Sequence, residues 1–116
     1  MSINIVKTPV KKSEIAQMAR EGFGDMVKVV ADVSQNIMAI GGELHADEEV
    51  MLSEKEGSKR EDMWGFNIYP EKAREEWLEF NSMVNIKPHL GNRTRDIGDP
   101  EVKEKIRKVV EKLVIE

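Results

Sequence analysis

The segment Glu43-Leu44-His45-Ala46-Asp47 places three chemically capable side chains at alternate positions. If the backbone here is extended, Glu43, His45 and Asp47 project from one face, because side chains alternate along a strand. An imidazole between two carboxylates could bind a divalent metal or serve as a general base. The alternative is a solvated strand edge, in which His45 makes a single structural hydrogen bond. At helical spacing His45 would point away from the two acids, so the hypothesis depends on the backbone.

A second polar group lies in the C-terminal third of the chain. Arg93 and Arg95 follow Gly91 shortly before a helix, where guanidinium groups and backbone amides could hold a phosphate or a carboxylate. Lys87 and Asn92 flank them and belong to the same candidate ligand-binding set. The competing interpretation is that the arginines pair with the protein's own acids, such as Glu43 or Asp47.

Three asparagines share the polar side of predicted neighbouring strands. Asparagine is disfavoured in strands, so Asn67, Asn81 and Asn85 on one surface need a reason. They could form a hydrogen-bonded ladder with a purely structural role, or they could line a shallow ligand site. We include Asn67 and Asn85 among the candidate ligand-binding residues.

The elements that must position these residues follow from hydrophobic periodicity. The pattern predicts helices over 11–21 and over 99–114, the second beginning with an Asp99 cap and Pro100. Alternation predicts a long strand over 77–88, with Leu78, Phe80, Ser82, Val84 and Ile86 towards the core and Trp77 on the more polar face. Further strands are predicted at 3–6, 26–33, 37–40, 50–54 and 63–69, and a helix over 44–53 is the alternative to the strand at 50–54. The prediction is one α+β domain spanning 1–116, a mainly antiparallel sheet of about five to six strands with two helices on one face.

Composition excludes several classes of protein. The 116 residues contain no cysteine, which rules out disulfides, thiolate zinc sites and cysteine nucleophiles. A formal net charge of −4 argues against broad electrostatic binding to nucleic acid or to an anionic membrane. The N-terminal residues lack the apolar run of a signal peptide, and no apolar stretch is long enough to cross a membrane. We expect a cytoplasmic protein.

Four segments carry a family resemblance. They are FGDMVKVVADV (23–33), AIGGELHADEE (39–49), WGFNIYP (64–70) and SMVNIKPHLGNRTRDIGDPEVKEKI (82–106). Together the chain resembles a family of small uncharacterised bacterial and archaeal proteins, a domain of unknown function with the landmarks GGELHAD, WGxNxYP and GNRxR. The resemblance implies a single coherent domain and points to no particular activity.

The leading functional hypothesis is a small domain that binds an anionic ligand or a protein partner. Its polar surface would combine the first group with the arginines and asparagines: Glu43, His45, Asp47, Asn67, Asn85, Arg93 and Arg95. One alternative is a hydrolase in which His45 and a neighbouring carboxylate activate water, with a divalent metal as the only cofactor considered. Another is a homodimer joined through a sheet edge or the C-terminal helix, without a small-molecule site.

Overall fold

A computed structural model describes residues 2–116. In chain order the elements are β1 (Asn4–Val6), β2 (Val10–Lys11), α1 (Lys12–Glu21), β3 (Val27–Asp32), β4 (Ile37–Gly42), α2 (His45–Glu56), β5 (Met63–Ile68), β6 (Leu78–Glu79), α3 (Pro100–Leu113) and β7 (Val114–Ile115). Short 3-10 turns occupy Arg60–Asp62, Met83–Asn85 and Pro88–Leu90. The predicted α+β class is confirmed.

The sheet has five antiparallel strands in the order β1-β4-β3-β5-β6, and β2 and β7 form a separate parallel pair. The hairpin of β3 and β4 turns at Asn36, which adopts the left-handed conformation (φ 57°) that asparagine tolerates. Strand β5 lies beside β3, and all six of its residues are buried. A strand buried on both faces must be covered by layers on both sides.

Helices α1 and α3 cover one face of the sheet. Alternate residues of β3, such as Val29 and Ala31, meet Ile15 of α1 and Ile106 of α3 in the larger core. Asp99 caps α3 by accepting a hydrogen bond from the N–H of Glu101, and Pro100 follows at the first helical position. The two predicted helices therefore lie on one face, with boundaries close to those expected.

Helix α2 covers the other face, where the sequence predicted a strand at 50–54. That prediction is wrong. Leu52 of α2 packs against Val30 and Met63 in the smaller core. The helix places acids in its first turn and ends at Gly57, whose left-handed conformation (φ 66°) is a common helix terminator. Its buried residues, His45, Glu48 and Leu52, follow helical spacing rather than alternation.

The predicted strand over 77–88 is also wrong beyond Glu79. Strand β6 has only two residues, and the chain then folds into 3-10 turns against β5. Trp77, expected on the polar face, is buried, and so are Asn85 and Lys87. Ser82 and Val84 pack directly over Gly65 of β5, and this packing replaces continued strand pairing. Within residues 2–116, no helix combines the length and apolarity needed to cross a bilayer.

Candidate functional site

A row of polar positions crosses the α2-facing side of the sheet. Gly42 of β4 lies opposite Lys28 of β3, Lys28 lies opposite Asn67 of β5, and Asn67 lies opposite Glu79 of β6. Opposite residues of paired strands project on the same face of a sheet. The strand register therefore brings together residues that are far apart in the sequence.

The first turn of α2 lies against this row. Leu44 precedes the helix without providing a side-chain cap, and the N–H groups of His45 and Ala46 have no hydrogen-bond partner among residues 2–116. Unpaired first-turn N–H groups and the helix dipole make such an end favourable for negative charge. The Asp47 and Glu48 side chains are in the same turn, but neither accepts a hydrogen bond from the N–H of His45 or Ala46.

His45 is anchored by its Nε2, which lies 2.8 Å from the carbonyl oxygen of Phe66. Because a carbonyl can only accept, Nε2 must carry the hydrogen, and a neutral ring leaves Nδ1 as an acceptor. Burial lowers the pKa of His45, and the positive charge of Lys28 acts in the same direction, while the Phe66 carbonyl and, to a smaller extent, the Asn67 side chain oppose them. His45 is therefore neutral at pH 7.

Asn67 has a fixed amide orientation and one unused atom. Its Nδ2 donates to Oε1 of Glu79 at 2.9 Å, and the hydroxyl of Tyr69 donates to the same oxygen at 3.1 Å. A carboxylate can only accept, so Oδ1 of Asn67 must be the atom directed away from Glu79. The side chain is only 5% exposed, and Oδ1 has no hydrogen-bond partner among the residues described.

These residues line a groove of about 490 Å³, which we call the α2 groove. Its polar lining comprises Lys28, His45, Asn67, Glu79, Asn81, Ser82 and Arg95, and its apolar lining comprises Met26, Leu44, Ala46, Met83 and Val84. Neither Lys28 nor Arg95 forms an ion pair with any acid in residues 2–116. Two cations thus line the same groove as the open end of the helix, and Nζ of Lys28 also lies 5.2 Å from the Phe23 ring centre.

Glu48 lies beside the groove and is fully buried. Gly42 provides the space for it, since a Cβ at Gly42 would lie 3.1 Å from Cγ of Glu48, and the Gly42 N–H donates to Oε2 at 3.0 Å. Burial raises the pKa of Glu48 to about 9, with the Gly42 hydrogen bond and the charge of Lys28 opposing this change. Glu48 is neutral at pH 7 and does not neutralise Lys28.

The family model described as "Protein of unknown function (DUF5674)" matches residues 4–113, nearly the whole chain. The chain belongs to this family. No curated protein matches the sequence, and no solved structure matches it either.

The structure brings three of the predicted site residues together in the α2 groove: His45, Asn67 and Arg95. Glu43 and Asp47 are exposed and do not line it, because the chain turns helical at His45 and the expected alternation is lost. Within residues 2–116 no group of three His, Asp or Glu side chains is placed to hold a metal ion.

Asn85 and Lys87 lie inside the protein, and their polar atoms bind backbone. The Asn85 amide exchanges two hydrogen bonds with the N–H and C=O of Gly65, at 2.7 and 2.8 Å, in the manner of a neighbouring strand. The Lys87 Nζ donates to the carbonyls of Met63 and Val84 at 2.8 and 2.7 Å and lies 4.5 Å from the Trp64 ring centre. Burial lowers the pKa of Lys87 to about 8.

Asn92 and Arg93 lie away from the α2 groove. The Nδ2 of Asn92 donates to the carbonyls of Asn85, Thr94 and Asp96, and its Oδ1 accepts from the N–H of Gly98, so Asn92 organises the loop before α3. Arg93 is exposed and outside the groove lining. Only Arg95 of this loop reaches the groove.

Sequence reasoning missed Lys28, Glu79 and Glu48. Lys28 is a single charged residue inside the apolar run of β3, and this local pattern could have identified it as a candidate site residue. Glu79 lies two residues after Trp77, so alternation puts it on the same polar face of the strand predicted over 77–88, where it has no predicted role. Glu48 is one acid among several in a helix that was interpreted as extended, so its burial depended on an element that was predicted incorrectly.

Proposed function

We propose that this protein binds a small anionic ligand in the α2 groove. The observation that carries the proposal is that two cations without an ion pair, Lys28 and Arg95, line the same groove as the open N-terminus of α2. A carboxylate or phosphate there would accept hydrogen bonds from the N–H groups of His45 and Ala46. Arg95 is able to contact two oxygens of such a group at once, whereas Lys28 acts as a point charge.

The segments that carry the family resemblance support this location. GGELHAD supplies Leu44, His45 and Ala46, WGFNIYP supplies Asn67, and GNRTR supplies Arg95 to the groove lining. Segments separate in the sequence thus contribute to one surface. We infer that these landmarks are the ligand-binding part of this family.

The hydrolase alternative receives less support. In that mechanism His45 would remove a proton from water with the help of Glu43 or Asp47. Here the Nε2–H of His45 donates to a backbone carbonyl and leaves Nδ1 as the possible base, but both acids that would assist it lie outside the groove lining. We therefore assign His45 a positioning role at the start of α2.

A titration by calorimetry tests the proposal. Inorganic phosphate and acetate would each be added to the full chain and to Arg95→Ala. We expect the wild type to bind at least one of them and Arg95→Ala to bind it about tenfold or more weakly, the loss of one charge-assisted hydrogen bond. Arg93→Ala is the matched control, because that arginine is exposed and outside the groove. Equal losses in the two variants, or no binding by the wild type, would contradict the proposal.

We further propose a cytoplasmic location, for which the absence of cysteine is the supporting feature. A chain without thiols is compatible with a reducing compartment, and it cannot form the disulfides that stabilise proteins in an oxidising one. Fractionation of cells that express the protein at its natural level would test this, and recovery with an extracytoplasmic fraction would contradict it.

A further inference from the structure

The α2 groove contains hydrogen-bond acceptors as well as cations. The Glu79 carboxylate lines the groove, and Nδ2 of Asn67 donates to its Oε1 at 2.9 Å. A carboxylate can only accept hydrogen bonds, so a ligand that brings an N–H or O–H group could donate to it. The bound molecule should therefore carry a donor in addition to its anionic group.

Glu79 favours a charged donor over a neutral one. Its Oε1 already accepts hydrogen bonds from Asn67 and Tyr69, and its carboxylate lines the groove. No cation lies within ion-pair distance of Glu79 in the described chain. An ammonium group beside this carboxylate would donate a charge-assisted hydrogen bond to it, which is stronger than a bond from a neutral donor.

The third part of the groove is apolar. Leu44 is 55% exposed and Met83 is 65% exposed, and Met26 lies with them in the lining. Exposed large apolar side chains around a polar centre are typical of a ligand site, where they would cover an aliphatic group. Methionine adapts well to aliphatic groups of different shape, because its side chain is unbranched and flexible.

From this arrangement, and resting on the proposed anion site, we propose that the ligand is an aliphatic α-amino acid. Its carboxylate would lie at the start of α2 with Lys28 and Arg95, and its ammonium group would lie against the Glu79 carboxylate. Its side chain would cover Leu44 and Met83. A sugar phosphate would satisfy the cations, but it would leave the apolar wall uncovered and bring a dianion close to Glu79.

The experiment compares three ligands by calorimetry on the full chain: L-leucine, 4-methylpentanoate, which is leucine without the amino group, and glycerol 3-phosphate. We expect leucine to bind about tenfold or more tightly than 4-methylpentanoate, because only leucine provides the donor. In Glu79→Gln this preference should fall at least severalfold, while 4-methylpentanoate binding is not weakened. Glu76→Gln, a nearby exposed acid outside the groove, should retain the preference.

The outcomes separate this inference from the anion-binding proposal. Equal binding of leucine and 4-methylpentanoate, both weakened by Arg95→Ala, would overturn the amino-acid assignment and leave the anion site in place. Tighter binding of glycerol 3-phosphate than of leucine would overturn it in the same way. If none of the three binds and phosphate and acetate also fail, both proposals are wrong.

Discussion

At the scale of single residues, polar side chains of similar type have different roles because their partners differ. The Asn85 amide forms hydrogen bonds with the backbone of Gly65, and Nζ of Lys87 donates to two backbone carbonyls. Both side chains therefore satisfy buried backbone groups. Asn67 retains one buried acceptor without a partner. Buried polar groups are normally satisfied within the protein, and in the described residues the buried side-chain oxygens without a partner are Oε1 of Glu48, Oε2 of Glu49 and Oδ1 of Asn67.

Glu48 predicts a pH dependence of stability. Its pKa is about 9 in the folded protein and near 4.5 when unfolded. Between these values the folded state keeps a proton that the unfolded state releases, so the free energy of unfolding falls as pH rises from about 4.5 to about 9. Glu48→Gln, which stays neutral, should remove this part of the decline.

Denaturant unfolding of the wild type and of Glu48→Gln at pH 5, 7 and 9 measures the effect. Glu54→Gln is the control, because Glu54 is exposed on the same helix. If the wild type and Glu48→Gln decline in parallel, Glu48 is ionised in the folded protein and the assignment is incorrect.

At the scale of elements, the outer edge of β5 is completed in two ways. Asn67 and Ile68 pair with β6, and beyond that point the Asn85 and Lys87 side chains provide the partners for Gly65 and Met63. The 3-10 turn at Met83–Asn85 is thereby held against the sheet, and it forms one wall of the α2 groove. Close packing over Gly65 makes this arrangement possible.

Gly65→Ala should therefore be strongly destabilising. A Cβ at this position would lie 2.5 Å from Oγ of Ser82 and 2.7 Å from Cγ2 of Val84, so the turn would have to move. We expect a loss of about 2–4 kcal/mol in the free energy of unfolding, in the range of overpacked core positions.

Gly98→Ala is the matched substitution. The nearest atom to a Cβ at Gly98 is Oδ1 of Asn92 at 3.6 Å, an ordinary contact, so we expect a change within about 0.5 kcal/mol. Urea unfolding of both variants provides the comparison. Similar free energies of unfolding for the two variants would show that the turn over Gly65 can move at little energetic cost.

At the scale of the whole molecule, one sheet separates two cores. The larger core contains both tryptophans and packs against α1 and α3, and the smaller core packs against α2. Residues of β3 point alternately into the two cores, so loss of either layer exposes one face of the same strands. The two layers should therefore unfold together.

Leu52→Ala tests this coupling. Leu52 is fully buried in the smaller core, so its truncation should lower the free energy of unfolding by about 2–5 kcal/mol. Val50 is on the exposed side of α2, and Val50→Ala should change this free energy by no more than about 0.5 kcal/mol. Tryptophan fluorescence reports the larger core, and circular dichroism reports the helices. Coincident midpoints in Leu52→Ala would support one cooperative unit, and separate midpoints would indicate that α2 unfolds independently.

The sequence alone determined the α+β class, α1, α3, and the strands β3, β4 and β5. These are segments in which periodicity and local caps agree, as with Asp99 and Pro100 at the start of α3. It also selected His45, Asn67 and Arg95, because charged, amide and imidazole groups are unusual beside apolar strands.

Tertiary structure decided the rest. The segment at 45–56 is a helix because Leu52 packs against the second apolar face of the sheet. The segment at 77–88 leaves the sheet because hydrogen bonds from the Asn85 and Lys87 side chains replace strand pairing. Local periodicity carries no information about these distant partners. The groove itself depends on strand register, which places Lys28, Asn67 and Glu79 side by side although up to 51 positions separate them in the chain.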